Sequence, residues 1–115
     1  METKTLESDL RQFTGAVNYY RHWTGHGLFT DGVQYLAEQA GAYWLVDAIF
    51  SYRRREPFQV WTLKKNTDDN GAVLTMQEDT GEPVKVHQDI PFTDFPLDQI
   101  KLYLIDGVVL LPSEY

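Results

Sequence analysis

The sequence predicts a single α+β domain, with about three N-terminal helices packed on a mainly antiparallel sheet of four to five strands. Three observations predict it. Apolar residues recur at helical spacing through the first half, to about residue 53. The second half changes to aromatic and β-branched runs broken by turn residues, and helices followed by strands argue against alternating α/β. Finally, Asp106-Gly107 lies between two apolar runs, a strong signal for a tight terminal hairpin.

The first helix is expected over residues 6–13. Leu6, Leu10 and Phe13 form its apolar stripe, Thr3 or Thr5 caps it, Glu7 and Asp9 suit its first turn, and Gly15 ends it. Residues 19–23 read as a short strand or an irregular aromatic segment, followed by a loop at Gly25 and Gly27. The second helix has the clearest signature. Thr30 or Asp31 caps it, Val33, Leu36, Ala37 and Ala40 share one face, and Gly41 stops it. A third helix is expected over residues 42–53. It is apolar around most of its circumference, its Arg53-Arg54-Arg55 end complements the dipole, and Pro57 prevents continuation.

Strands are then expected at residues 58–65, 72–78, 84–88, 100–105 and 108–111. Residues 90–99, with Pro91 and Pro96, read as a connector over the surface. A two-residue turn at Asp106-Gly107 sets Ile105 opposite Val108, Leu104 opposite Val109 and Tyr103 opposite Leu110. Both faces of that hairpin are apolar, so its second face needs a cover. The connector with Phe92 and Phe95, or another chain, would supply it.

Bulk composition bounds the function. A chain of 115 residues, 43% hydrophobic and 14% aromatic, makes one domain over residues 1–115 with its own core. Cysteine is absent, which excludes disulfides and thiolate metal sites. No nucleotide loop, zinc spacing or nucleophile motif is present, so no catalytic residue, metal ligand or cofactor is assigned and the reading leans away from an enzyme. The polar N-terminus does not read as a signal peptide. The apolar-rich run 40–50 is interrupted by Asp47 and is far too short to span a membrane. A cytoplasmic protein is expected. Net charge is −7, which disfavours direct nucleic acid binding and suits a protein partner with a basic surface.

Four constellations bear on chemistry. His22 and His26 are four apart, but Gly25 and Gly27 argue against the helix that would make this a metal pair. Asp47 is the one charge in its apolar run and needs a cation or donors; with His22 and Tyr43 it is the candidate for a ligand pocket. Arg53, Arg54 and Arg55 are the candidate anion site, with Lys64 and Lys65 nearby if the next strand returns beside them. Residues 66–99 hold eight acids and one base. Among these, Asp68, Asp69, Glu78, Asp79 and Glu82, with Phe92 and Phe95 as an exposed aromatic pair, are the candidate partner-binding surface.

The segments FTDGVQYLAEQAGAYWLVDAI at 29–49, PFQVWTL at 57–63, DIPFTDFPL at 89–97 and IKLYLIDGVVLLPSEY at 100–115 carry a resemblance. Together they resemble a family of small uncharacterised proteins, a domain of unknown function found in bacteria and their mobile elements. The resemblance covers the chain from about Phe13 onward. It implies no activity and no site residue; it implies a plasmid or phage setting and, with it, an accessory or anti-defence role.

The leading expectation is therefore a small acidic interaction module, a phage or mobile-element inhibitor that occupies a basic surface of a nucleic-acid-handling protein. One alternative is a ligand-binding domain or minor enzyme with a pocket between helices and sheet. Another is a homo-oligomer formed through the second face of the C-terminal hairpin.

Overall fold

The turn at Asp106-Gly107 forms near the middle of the molecule's sheet. Asp106 has φ 50° and Gly107 φ 83°, the two positive values a type I′ turn requires. Ile105 faces Val108, Leu104 faces Val109 and Tyr103 faces Leu110, the register that this turn sets.

The computed structural model describes residues 3–15 and 18–115. The first half holds α1 (Thr3–Leu10), β1 (Tyr19–Arg21), β2 (Leu28–Thr30), α2 (Asp31–Ala40) and α3 (Tyr43–Ser51). The second holds β3 (Phe58–Lys65), β4 (Ala72–Gln77), β5 (Val84–Ile90), β6 (Gln99–Ile105), β7 (Val108–Leu110) and a closing 3₁₀ turn, Pro112–Glu114. The strands make one sheet in the order β1-β2-β7-β6-β3-β4-β5. Neighbours are antiparallel except β2 and β7, which run parallel.

This corrects the expected architecture. The sheet has seven strands and is mixed, and the α-helices among the described residues are short. The expected helical half contributes two strands, β1 and β2, each only three residues long. At that length neither shows a period to read. The first helix lies over Thr3–Leu10, so Glu7 and Asp9 fall beyond its first turn and Phe13 lies past its end. Helix α3 stops at Ser51, and Arg53 takes a left-handed φ of 52° that no helix continues through.

Side-chain alternation assigns the two sheet faces. Register places Phe29, Val109, Leu104, Trp61, Leu63, Leu74 and Met76 on one face. These join Leu6 and Leu10 of α1, Val33 and Leu36 of α2, and Leu45, Ile49 and Phe50 of α3 in one core. The helices thus form a single layer on one face. The other face carries Phe58, Val60, Tyr103, Ile105, Val108 and Leu110. Val60 is 1% exposed yet stands outside the helical core. Phe95 does not cover this face, because it is buried in the helical core with Leu97. Instead Tyr115 packs edge-on against Phe58 and Tyr103, with ring centroids 5.8 and 5.6 Å away.

The start of α2 is closed from the far end of the chain. Thr30 is its N-cap and accepts from Val33 N–H through its hydroxyl. The same hydroxyl donates to Glu114 Oε1 at 2.6 Å, and Gly32 N–H donates to Glu114 Oε2 at 3.1 Å. Leu111 N–H adds a third bond at 2.9 Å. Glu114 is 8% exposed, so its charge is compensated by these donors and by the positive end of the helix. A Cβ at position 32 would lie 2.6 Å from Leu111 Cδ1 and 2.7 Å from Glu114 Oε1, so any larger residue must displace the Leu111 and Glu114 side chains.

Glu114→Ala strands the buried Thr30 hydroxyl and Gly32 N–H, and should cost roughly 3 kcal/mol. Glu114→Gln keeps an acceptor and should cost roughly 1 kcal/mol. Urea unfolding midpoints at constant slope check both values.

Candidate functional site

Three groups of polar side chains stand out; the first two adjoin through His26 and Phe50, and the third lies at the opposite end of the sheet. The first lies where the β1–β2 loop meets α3. The loop is closed by His22 N–H to Gly27 O and Gly25 N–H to His22 O, both 2.9 Å. The His22 ring is buried against Phe50, with centroids 4.7 Å apart. Thr24 N–H points at His22 Nδ1 and the Thr24 hydroxyl lies 2.7 Å from it, so Nδ1 is the acceptor. Nε2–H then donates to Asp47 Oδ1 at 2.6 Å. The Trp23 indole N–H donates to the same oxygen at 2.9 Å.

Asp47 therefore finds its donors in histidine and tryptophan. Arg54 does not serve it and instead binds Glu56. Hydroxyl, imidazole and carboxylate in a row have the composition of a proton relay. Here they close a loop: Thr24 Oγ1 also accepts from His26 N–H at 3.3 Å, and both imidazole nitrogens are occupied. Tyr43 does not join the pair. Its hydroxyl reaches Glu38 at 3.4 Å, and burial, then the Glu38 carboxylate, raise its phenol pKa. None of His22, Tyr43 and Asp47 lines the cleft described next.

The second group surrounds a cleft of about 500 Å³ between the end of α3 and the Asp106-Gly107 turn. Arg53, Arg54 and Arg55 rim it, with Ile49, Phe50 and Leu104 inside. Arg54 grips Glu56 through Nε and Nη2, at 3.1 and 2.6 Å. That bond holds the Glu56 carboxyl below the usual carboxylate range, against an opposing effect of burial. The rim is tied to the core by a buried chain. The Trp61 indole donates to Gln59 Oε1 at 2.9 Å, and Gln59 Nε2 donates to the carbonyls of Glu56 and Arg54 at 3.2 and 3.4 Å. Lys64 and Lys65 are not part of this group. They lie at the other end of the eight-residue strand β3, roughly 20 Å away.

The third group is at that other end. Thr93 N–H bonds Asn70 O at 2.8 Å and Lys65 N–H bonds Asp98 O at 2.8 Å. These bonds hold the β3–β4 turn against the connector between β5 and β6. Phe92 is 70% exposed there, with Asp68 and Asp94 also exposed. Asp69, also exposed, accepts from Asn66 Nδ2 at 2.9 Å and Gly71 N–H at 2.7 Å within the turn. Those two donors lower its pKa, the Asn66 bond foremost.

The acidic run is thus divided. Asp68 and Asp69 sit at one end of the sheet, while Glu78, Asp79 and Glu82 sit in the β4–β5 turn at the other. Phe92 stays exposed and Phe95 is 1% exposed in the core, so they do not form an outward pair. Sequence reasoning missed Glu114, Gln59 and Thr24. Glu114 lies 84 residues from Thr30, and no local pattern marks such a partner. Among the described residues, no three His, Asp or Glu side chains are placed to hold a metal ion, and no helix is long and apolar enough to cross a membrane.

These features define a small two-layer domain, with one layer of short helices on a mixed sheet. Residues 4–115 match a family of unknown function (DUF6876), and the chain belongs to that family. Comparison with curated proteins and with solved structures gives no match.

Asp47→Ala removes one acceptor shared by two donors. It should cost about 1–2 kcal/mol, since Asp47 is 44% exposed and water replaces part of the loss. Trp23 emission should change in parallel. Glu56 and Asp69 are both lowered in the folded chain. Their stabilisation is complete above about pH 4.5 and drains away as pH falls through the lower folded values. Acid unfolding followed by circular dichroism should therefore begin at higher pH in a Glu56→Gln, Asp69→Asn double variant.

Proposed function

We propose that the protein is an interaction module that docks on a basic, partly apolar surface of a partner protein, using the end of the sheet that carries Phe92. The observation behind this reading is the exposed Phe92 ring on a connector that the Thr93–Asn70 bond ties to the β3–β4 turn, with Asp94 and Asp68 exposed on those two segments. An aromatic side chain that is desolvated on docking supplies affinity, and surrounding charges steer encounter and select the partner. The net charge of −7 extends that steering over the whole molecule. Surfaces of the required sign are those with which proteins hold nucleic acid, so a docked module would compete with nucleic acid for its partner.

Affinity capture from the native host, with mass spectrometry, tests the reading when run on variants. Phe92→Ala should weaken retention of the specific partner about 30-fold. Asp68→Asn with Asp94→Asn should weaken it less and flatten its dependence on salt. Glu78→Gln with Glu82→Gln, at the far end of the sheet, should leave it unchanged. Retention that is insensitive to both Phe92→Ala and salt overturns the reading.

The face opposite the helices favours a second reading, a homo-oligomer. Tyr103, Ile105, Val108 and Leu110 are half-buried there with no α-helix over them among the described residues. Light scattering should then report a multiple of 13.3 kDa that Val108→Glu returns to the monomer.

A further inference from the structure

The cleft at the end of α3 lies at the opposite end of the sheet from Phe92. We propose that it is a binding site for a small organic anion, one phosphate or carboxylate group on a flat apolar body. Its volume, about 500 Å³, falls among small-molecule sites, which are apolar pockets with a few placed polar groups. The cleft has that division. Ile49, Phe50 and Leu104 supply apolar surface, and Arg53, Arg54 and Arg55 supply the charge.

Local charge opposes the charge of the whole chain. Three arginines face two lining carboxylates, Glu56 and Asp106, in a protein of net charge −7. Glu56 is already committed to Arg54, and Glu78 also acts on Arg54 through space. Arg53 and Arg55 have no carboxylate within salt-bridge distance among the described residues. They are the two guanidinium forks left to receive an anion, a geometry that suits phosphate and carboxylate alike. The carbonyl end of α3 points toward the cleft and repels anions, so binding depends on these two side chains.

The rim is also pre-organised. Arg53 holds a left-handed φ of 52°, an arrangement that a non-glycine residue keeps only when its surroundings enforce it. Arg53 N–H bonds Phe50 O at 3.3 Å, and the Trp61–Gln59 chain leaves the core to bond the carbonyls of Arg54 and Glu56 just beyond it. Gln59 is 1% exposed, and this buried amide holds the arginine segment in place. Support of this kind lowers the ordering cost of binding.

The test is a titration of the ¹⁵N-labelled full chain, followed by NMR, with phenyl phosphate, benzoate, inorganic phosphate and benzyl alcohol. Phenyl phosphate, benzoate or both should shift the Arg53 and Arg55 Nε–H signals and the Phe50 and Gly107 amides along saturable curves. Inorganic phosphate and benzyl alcohol should each bind at least fivefold more weakly than the better of those two. Arg53→Gln with Arg55→Gln should weaken binding at least tenfold, with an unchanged amide spectrum showing that the fold persists. Equal binding by that variant, shifts that do not saturate, or inorganic phosphate matching both aromatic anions overturns the proposal. Because Phe92 and its carboxylates lie at the other end of the sheet, their variants should not alter the titration. Failure here leaves the docking reading standing, and the reverse holds too.

Discussion

The Glu114 carboxylate closes the molecule. It receives the Thr30 hydroxyl and the Gly32 N–H at the start of α2, and Leu111 N–H from its own turn. The chain's last turn is thereby fixed to the β2–α2 junction, 84 residues earlier than Glu114 at Thr30. With that junction in place, β7 lies alongside β2 as the one parallel pair, Leu28 beside Val108 and Phe29 beside Val109. The first-half strands thus become the continuation of the second-half sheet. A buried carboxylate is stable in such a place because three donors and a helix N-terminus compensate its lost hydration.

The sheet then acts as a spacer. Strand β3 runs eight residues, from the arginine segment that precedes Phe58 to the acidic turn after Lys65. The two ends of the protein therefore differ in chemistry. One presents three arginines around a cleft, with Glu78, Asp79 and Glu82 at the same end, and the other presents the Phe92 ring with Asp68, Asp94, Lys64 and Lys65. Each is tied to the framework by hydrogen bonds with little slack. Gln59 reaches out from the core to the arginine segment, and Thr93 joins the connector to the acidic turn. The His22–Asp47 pair belongs to this framework as well. It fastens the β1–β2 loop to α3 and thereby fixes the neighbouring wall that His26 contributes to the cleft.

Much of the fold was legible locally. Thr30 and Gly41 bound α2 as N-cap and left-handed C-cap, because capping depends on residues within one turn. The Asp106-Gly107 register was legible because a two-residue turn leaves one pairing. Strand β3 was legible from a run of eight residues. The three-residue strands β1 and β2 were not, since their pairing with each other and with β7 makes them strands. For the candidate sites, Arg53, Arg54 and Arg55 were legible as a cluster, being adjacent in sequence. The separation of Asp68 from Glu78 and the burial of Phe95 were not, because both follow from which end of which strand a turn occupies.

The local elements follow from the amino-acid order alone: the capped second helix, the strands of the second half and the tight terminal hairpin. The net charge of −7 is likewise set by composition alone. The elements depend on backbone preferences and side-chain periods that act within a few residues. Long-range packing set the seven-stranded sheet, its one parallel pair and the placing of the acids at two ends. It alone decided that Asp47 pairs with His22 and that Glu114 caps α2. Those outcomes depend on contacts between residues tens of positions apart, which form only when the whole core closes around them.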